Sequence, residues 1–452
     1  MKLRIFFVTL FMMSAVTAGT VESLREAVTD LMATYGASYP GGASYVQRID
    51  ALGSNPAPEA LAALRREALL AHPLLAGKEL LLFDRDPKVK SLPQNWQGNE
   101  SLHRGELDNR IAILRDLGGQ PQLETVYAPE SRKLMTDIDL HPDGKRILFS
   151  MVGAGNRWQV FEMHLDERVA RPLPLIDGPD VDNYDACYLA DGRILFSSTA
   201  TYTGVPCVGG KSQVANLHCY DPNSGKIRRL TFDQEHNWNP TLLADGRVMY
   251  LRWEYSDLPH SNSRILFQMN PDGTNQAELY GSNSYFPNSF FYGRPMPGHP
   301  SQVIGVAGGH HGVARAGRLL ILDPDKSRRE AGGVVHEFPY RGRKVEAIVK
   351  DQLVGGVWPQ FLMPWPIDAK HVLVSCKLDA KSPWGIYLVD VFDNMTLIHE
   401  LPERGLFEPV LLTNYKAPPV IPDRVNLQST DATVLLSDIY QGPGLEGIPR
   451  GP

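Results

Sequence analysis

The sequence predicts an all-β chain, a six-bladed β-propeller preceded by a small helical N-terminal region. Three observations predict it. A hairpin built on an Asp-Gly turn recurs at long intervals, a second hairpin follows each copy, and helical periodicity is confined to the segment before residue 79.

Lys2 and Arg4 precede a mostly apolar run at 5–16 and a Val-Thr-Ala ending at Ala18. A basic start, a short apolar run and a small-residue site read as a signal peptide over 1–18. The run is too short to span a bilayer comfortably. The mature chain is therefore expected to be periplasmic or secreted, with no membrane span after cleavage. Within 19–78, apolar residues at helical spacing predict helices from Ser23 and from Pro58, separated by a Gly/Pro/Ser segment at 38–44. Proline suits the first turn of the second helix.

From residue 79 the periodicity is that of short strands. The first hairpin appears with its turn at Asp143-Gly144, Asp191-Gly192 and Asp245-Gly246, with looser copies from Pro297 and Pro366. Asp-Gly supplies the positive φ that a tight hairpin requires. The second hairpin turns at Asp166, Asp221, Asn270, Asp323 and Asp390, and a sixth pair begins at Glu79 and Arg110. Two hairpins make a four-stranded blade, and six blades at roughly 48–67 residues close a ring over 79–410. An open sandwich does not account for six double hairpins. The remainder, 411–452, is an extension in which 432–437 is a candidate latch strand.

Composition narrows the function classes. A net charge of −6 over 452 residues gives no footprint for nucleic acid. The 40 glycines and 35 prolines fit a turn-rich fold. Four cysteines (Cys187, Cys207, Cys219, Cys376) are few for a disulfide scaffold, Cys207 and Cys219 being the nearest pair.

In an antiparallel blade the Asp-Gly and Asp-Pro turns share one face, and the longer connections share the other. Those longer loops carry the chemistry: Tyr202 and Cys207, His236 and Trp238, Trp253, Glu254, Asp257 and His260, then His310, His311 and Arg315. Long loops on a rigid scaffold are the usual place for a site. Tyr202, Trp238, Trp253, Glu254, Asp257 and Arg315 are the ligand-face candidates. Cys207, His236, His260, His310 and His311 are candidate metal ligands, thiolate and imidazole donors from one face. Glu235, Glu254 and Asp257 offer carboxylates, a weak signal in such loops.

Familiar catalytic patterns are missing. The stretch from Gly204 to Ser212 is one residue too long for a phosphate loop and leads into a strand. Gly-x-Ser-x-Gly, His-Glu-x-x-His and Cys-x-x-Cys-His do not occur. Asn99 and Asn394 head glycosylation sequons.

Several loop motifs resemble the family of the hydrazine synthase α subunit. They include Gly155-Asn-Arg-Trp-Gln-Val-Phe-Glu, Thr203-Gly-Val-Pro-Cys-Val, His236-Asn-Trp, Arg252-Trp-Glu-Tyr-Ser-Asp-Leu-Pro-His and Gly308-Gly-His-His-Gly-Val. The resemblance covers roughly 80–451. It implies a periplasmic bacterial protein with a TolB-like six-bladed propeller. It also implies a zinc ion with Cys207 as a ligand, and redox chemistry at a c-type haem in a segment beyond the propeller. This chain has no haem-attachment motif, so a c-type haem protein or haem domain is the implied partner. The expected role is a scaffold or a ligand- or partner-binding face, catalytically incomplete by itself and oxidoreductase-associated if part of an enzyme. The alternative is a metal-dependent enzyme using Cys207 and the histidines.

Overall fold

A computed structural model describes residues 19–89, 104–205, 212–254, 263–309, 315–348, 350, 352–431, 438, 440 and 447–450. The expected signal peptide and the candidate latch at 432–437 lie outside the described residues.

Among the described residues, twenty-four strands form six antiparallel four-stranded blades. Blade 1 contains β1 (Leu80–Arg85), β2 (Asn109–Arg115) and β3 (Gln122–Tyr127). Blade 2 is β4 (Met135–Leu140), β5 (Arg146–Val152), β6 (Trp158–His164) and β7 (Val169–Pro172). Blade 3 is β8 (Asn183–Tyr188), β9 (Ile194–Ser198), β10 (Asn216–Asp221) and β11 (Lys226–Arg229). Blade 4 is β12 (Asn237–Leu242), β13 (Val248–Glu254), β14 (Ser263–Met269) and β15 (Ala277–Tyr280). Blade 5 is β16 (Ser289–Pro295), β17 (Val303–Gly308), β18 (Arg318–Leu322) and β19 (Val334–Phe338). Blade 6 is β20 (Gln360–Pro366), β21 (His371–Lys377), β22 (Gly385–Asp390) and β23 (Met395–His399).

The ring is closed by β24 (Gly405–Leu411), which pairs antiparallel with β1 from Leu80↔Leu411 to Arg85↔Gly405 and completes blade 1. Closure hides strand edges that an open sheet would expose. The Asp-Gly turns form as expected. Gly144, Gly192 and Gly246 have φ of 71°, 87° and 89°. The preceding aspartates accept the amides of Lys145, Arg193 and Arg247 at 2.8, 3.1 and 3.0 Å. Apolar side chains fill the space between neighbouring blades, so most central strands are buried on both faces.

Three helices precede the ring: α1 (Val21–Tyr35), α2 (Gly42–Leu52) and α3 (Pro58–Leu70). Two were expected, with 38–44 as a separator. Gly42-Ala43-Ser44 instead opens α2, because Gly42 packs directly on Met32 where a side chain has no room. The buried stripe of α1, Leu24, Ala27, Val28 and Leu31, shares one core with Leu80 and Leu114 of blade 1 and Leu373 and Leu388 of blade 6. The helices thus lie across the seam where the ring begins and ends.

A hydrogen-bonded knot pins them there. Asp368, in the first hairpin turn of blade 6, accepts from Tyr35 Oη at 2.7 Å, His72 Nε2 at 3.1 Å and His371 Nδ1 at 3.0 Å. His72, Asp368 and His371 are the one group among the described residues close enough for a shared metal ion. Their protons argue against one. His72 Nδ1 accepts the Leu74 amide at 3.0 Å, so the neutral ring carries its proton on Nε2, facing Asp368. Burial raises the Asp368 pKa, but hydrogen bonds from His371 and His72 outweigh it and hold the carboxyl far below the usual range.

Two outcomes follow for stability. Glu408→Leu should cost about 3–5 kcal/mol in denaturant titrations, because it removes the buried carboxylate that pairs with Arg85 at 3.3 Å. Asp368→Ala should make residues 19–78 protease-sensitive before the ring unfolds. With a depressed carboxyl pKa, the wild-type knot contributes fully above the ordinary carboxylate range and weakens as pH falls below about 4. Acid should therefore loosen the wild-type helices and leave the variant's helices little changed.

Candidate functional site: the axial cavity and the buried cluster beneath the loop face

Each inner strand carries a β-bulge near its middle, in register with the same bulge in the other five blades. The bulged residue is in every case a non-glycine in the left-handed region: Asp137 (φ 60°), Asp185 (55°), Asn239 (47°), Tyr292 (57°), Met363 (51°) and Glu408 (58°). The pattern re-aims one side chain per blade toward the axis. Holding six such residues costs about 1–3 kcal/mol each, so the surroundings must impose them.

Hydrogen bonds between neighbouring blades do so. Glu408 Oε2 accepts the Ile138 amide at 2.9 Å and Oε1 accepts Thr136 Oγ1 at 2.9 Å. Asp185 Oδ2 accepts the Asn239 amide at 2.7 Å, and Asn239 Oδ1 accepts the Tyr292 amide at 3.2 Å. Ser150 and Ser375 accept the amides of Asp185 and Glu408 at 2.9 and 3.1 Å. A cavity of about 60 Å3 lies on the axis against this ring. Toward the turn face, Asp139, Arg294 and Trp365 line it, with Arg294 over the Trp365 ring at 4.5 Å. Burial, then the charges of Asp185 and Glu408, push the Asp137 carboxyl well up, with Arg315 opposing. Burial likewise raises Asp185 and brings Asp139 to about 6.

At the loop-face end the side chains are stacked. Arg315, 1% exposed, lies over Trp238 at 5.1 Å and over Phe291 at 4.9 Å. The His236 ring stacks on Trp238 at 4.6 Å and parallels Trp253 at 6.0 Å. Arg264 covers the other indole, Trp253, at 4.5 Å. Glu235 is 2% exposed, and neither carboxylate oxygen has a hydrogen-bond partner among the described residues. Burial pushes its pKa to about 7, with Arg264 opposing. Burial, then Arg264 and Arg315, drive His236 down to about 3. At neutral pH this buried cluster therefore holds fixed guanidinium groups against indole faces, with a neutral imidazole among them.

Of the ligand-face candidates, the structure brings Trp238, Trp253 and Arg315 together. Tyr202 stands apart, 70% exposed. Glu254 is half-buried at the end of β13, with Ser282 Oγ 3.4 Å from its carboxylate. Asp257 lies outside the described residues, as do Cys207, His260, His310 and His311. The implied zinc thus has one candidate ligand among the described residues, His236. Its Nδ1 lone pair is committed to the Ala215 amide at 3.0 Å, which leaves the proton on Nε2. His236 thus has no lone pair free for zinc, and the other four candidates lie outside the described residues. Cys187, Cys219 and Cys376 are free thiols, so Cys219 is not bridged to Cys207.

Sequence reasoning missed the axial ring, Arg85, Arg264, Arg294 and Asp139. A signal was present in the three strict repeats. Asp137, Asp185 and Asn239 each stand six positions before the turn aspartate (143 − 137, 191 − 185, 245 − 239).

No protein-family model matches the chain, and no curated protein matches it. Among solved structures, the Kuenenia stuttgartiensis hydrazine synthase aligns over 76% of this chain and 48% of its own, with TM-score 0.57 and 14% identity. The chain thus spans about half the length of that protein. TolB from Acinetobacter baumannii aligns over 79% of this chain and 74% of its own, with TM-score 0.48 and 13% identity. An oligogalacturonate lyase in complex with manganese covers 70% and 84%, with TM-score 0.40 and 12% identity. These are likenesses of fold, and at such identities they do not place the chain in the hydrazine synthase family.

The isolated carboxyl of this cluster gives a test. A folded pKa near 7 against an ordinary value near 4.5 means that wild type loses stability as pH rises from 4.5 to 7. Glu235→Gln should raise Tm at pH 8, by roughly 2–6 °C, and leave it unchanged at pH 4. An equal change at both pH values would show that the charge of Glu235 is not what the site works against.

Proposed function

We propose that the protein is an exported, periplasmic propeller that uses its loop face to bind a partner or ligand, with no catalysis of its own. The observation that carries this reading is the cluster packed beneath that face. Arg315 is held between Trp238 and Phe291, and His236 packs beside Trp238 and Trp253, all buried, so the base of the face is rigid before anything binds. Such preorganisation lowers the ordering cost of association. The family resemblance points to a c-type haem protein or haem domain as the partner. The chain then serves as the binding face of an oxidoreductase whose redox group lies elsewhere. The signal-like start at Lys2 and Arg4 supports export. No helix among the described residues is long and apolar enough to cross a membrane.

The test is isolation of the native protein from its source, followed by intact mass and haem staining. A haem-positive species, covalent or co-purifying, is expected. Arg315→Met, which keeps the stacking length, should weaken its retention by about tenfold, or roughly 1.4 kcal/mol, with Tm within a few degrees of wild type. A haem-free species with the mass of residues 19–452 and no retained partner would remove the haem reading. Stoichiometric metal in that species would move attention to the Cys207 and histidine loops.

A further inference from the structure

The axial ring of bulged residues has a second tier next to it, on the turn-face side. Side chains on a strand alternate between faces, so the residue two positions past each bulged one returns to the axis. Those positions are Asp139 in blade 2, Cys187 in blade 3, Thr241 in blade 4, Arg294 in blade 5, Trp365 in blade 6 and Val410 in blade 1. All but Cys187 line the axial cavity. The inner strands touch in chain order around the ring, β4 to β8, β12, β16, β20, β24 and back to β4. Blades 2 and 5 therefore face each other across the axis. The carboxyl of Asp139 and the guanidinium of Arg294 stand on opposite walls of one chamber.

Neither group is neutralised by the other. Among the described residues Arg294 makes no ion pair and no side-chain hydrogen bond, and its one ring contact is Trp365 at 4.5 Å. Asp139 Oδ2 accepts the Tyr188 amide at 2.9 Å, which orients the carboxyl and leaves Oδ1 without a donor among the described residues. A guanidinium and a carboxylate oxygen, both held and both uncommitted, thus face a cavity of about 60 Å3. At about 10–15 Å3 for each water-sized occupant, that space takes roughly four to six non-hydrogen atoms. We propose that this chamber binds a small zwitterion, an amino acid of glycine size, with its carboxylate on Arg294 and its ammonium on Asp139.

Charge selects this class of ligand. A simple anion on Arg294 meets the Asp139 carboxylate across the chamber, and a simple cation on Asp139 meets the guanidinium. A molecule that carries both charges satisfies both walls, whereas each singly charged rival faces a like charge. The other acids of the axis do not upset this balance. Glu408 is paired with Arg85 at 3.3 Å, and Asp185 accepts from the amide and the side chain of Asn239 at 2.7 and 3.0 Å. Burial pushes Asp137 toward its neutral form, and brings Asp139 only to about 6, so Asp139 is ionised at pH 7.5. Stacking on Trp365 fixes the plane of the Arg294 fork, the geometry that matches a carboxylate. The site lies on the turn-face side of the axial ring and does not depend on the partner proposed for the loop face.

Calorimetric titration of the full-length protein at pH 7.5 with glycine, acetate and methylammonium tests this. Glycine should bind at one site per chain, with a Kd in the micromolar to millimolar range that so few atoms allow. Acetate and methylammonium should each bind about tenfold more weakly, or not at all. Arg294→Met and Asp139→Asn should each weaken glycine by about tenfold, with Tm near that of wild type. Asp139→Asn should at the same time tighten acetate, because it removes the like charge opposite Arg294, and a variant that had merely lost its fold would bind neither. A flat glycine titration of the wild type would mean that water alone lies between the two charges. Acetate bound as tightly as glycine, or variants that bind glycine as the wild type does, would mean that the two walls do not act on one ligand. Any of these results overturns the proposal.

Discussion

Arg85 and Glu408 are 323 positions apart in the chain, yet they meet as a buried ion pair in the ladder that joins β24 to β1. Bringing such distant segments together carries an entropy cost that grows only slowly with the length of the loop. The cost falls on the last step of ring formation, and the sequence concentrates polar contacts there. Glu408 also accepts from Thr136 and Ile138 of blade 2, so one carboxylate ties blade 1 to itself and to its neighbour. The axial cavity and the stacked cluster beneath the loop face both presuppose this closure.

The same closure explains the unusual interior. An apolar core would be simpler to build, but six inner strands converging on an axis leave a narrow space that side chains of the bulged residues must line. Here they supply three carboxyls, an amide, a phenol and a thioether. Burial pushes the carboxyl pKa values of Asp137, Asp139 and Asp185 upward. Arg315 at the loop side and Arg294 at the turn side bracket the ring with positive charge. The carboxyls are thus flanked by positive charge on both sides, and the indole and phenyl faces of Trp238 and Phe291 fix the guanidinium at the loop side.

The blade architecture was legible because the Asp-Gly and second-hairpin turns repeat as short local patterns, and hairpin chemistry acts over a few residues. Trp238, Trp253 and Arg315 were legible as a group because alternation of turn and loop faces follows from antiparallel pairing alone. Closure by β24 was not, since Gly405-Leu-Phe-Glu-Pro reads as an ordinary strand and only pairing shows which edge it completes. The axial ring was missed for a related reason. Its residue type differs in almost every blade, and what they share is a backbone conformation. His236 looked like a metal donor until its ring was seen to spend its lone pair on Ala215. The third helix escaped because Gly42-Ala-Ser resembles a linker, and only contact with Met32 makes a small residue necessary there.

The seam across which α1–α3 lie has a consequence for how the molecule comes into being. The helices are synthesised ahead of blade 6, yet part of the surface for their apolar stripe is Leu373 and Leu388, and their anchor is Asp368. Until blade 6 emerges they have blade 1, through Leu80 and Leu114, to rest on, and only half of their seat is present. A segment made early is thus among the last to be fully seated.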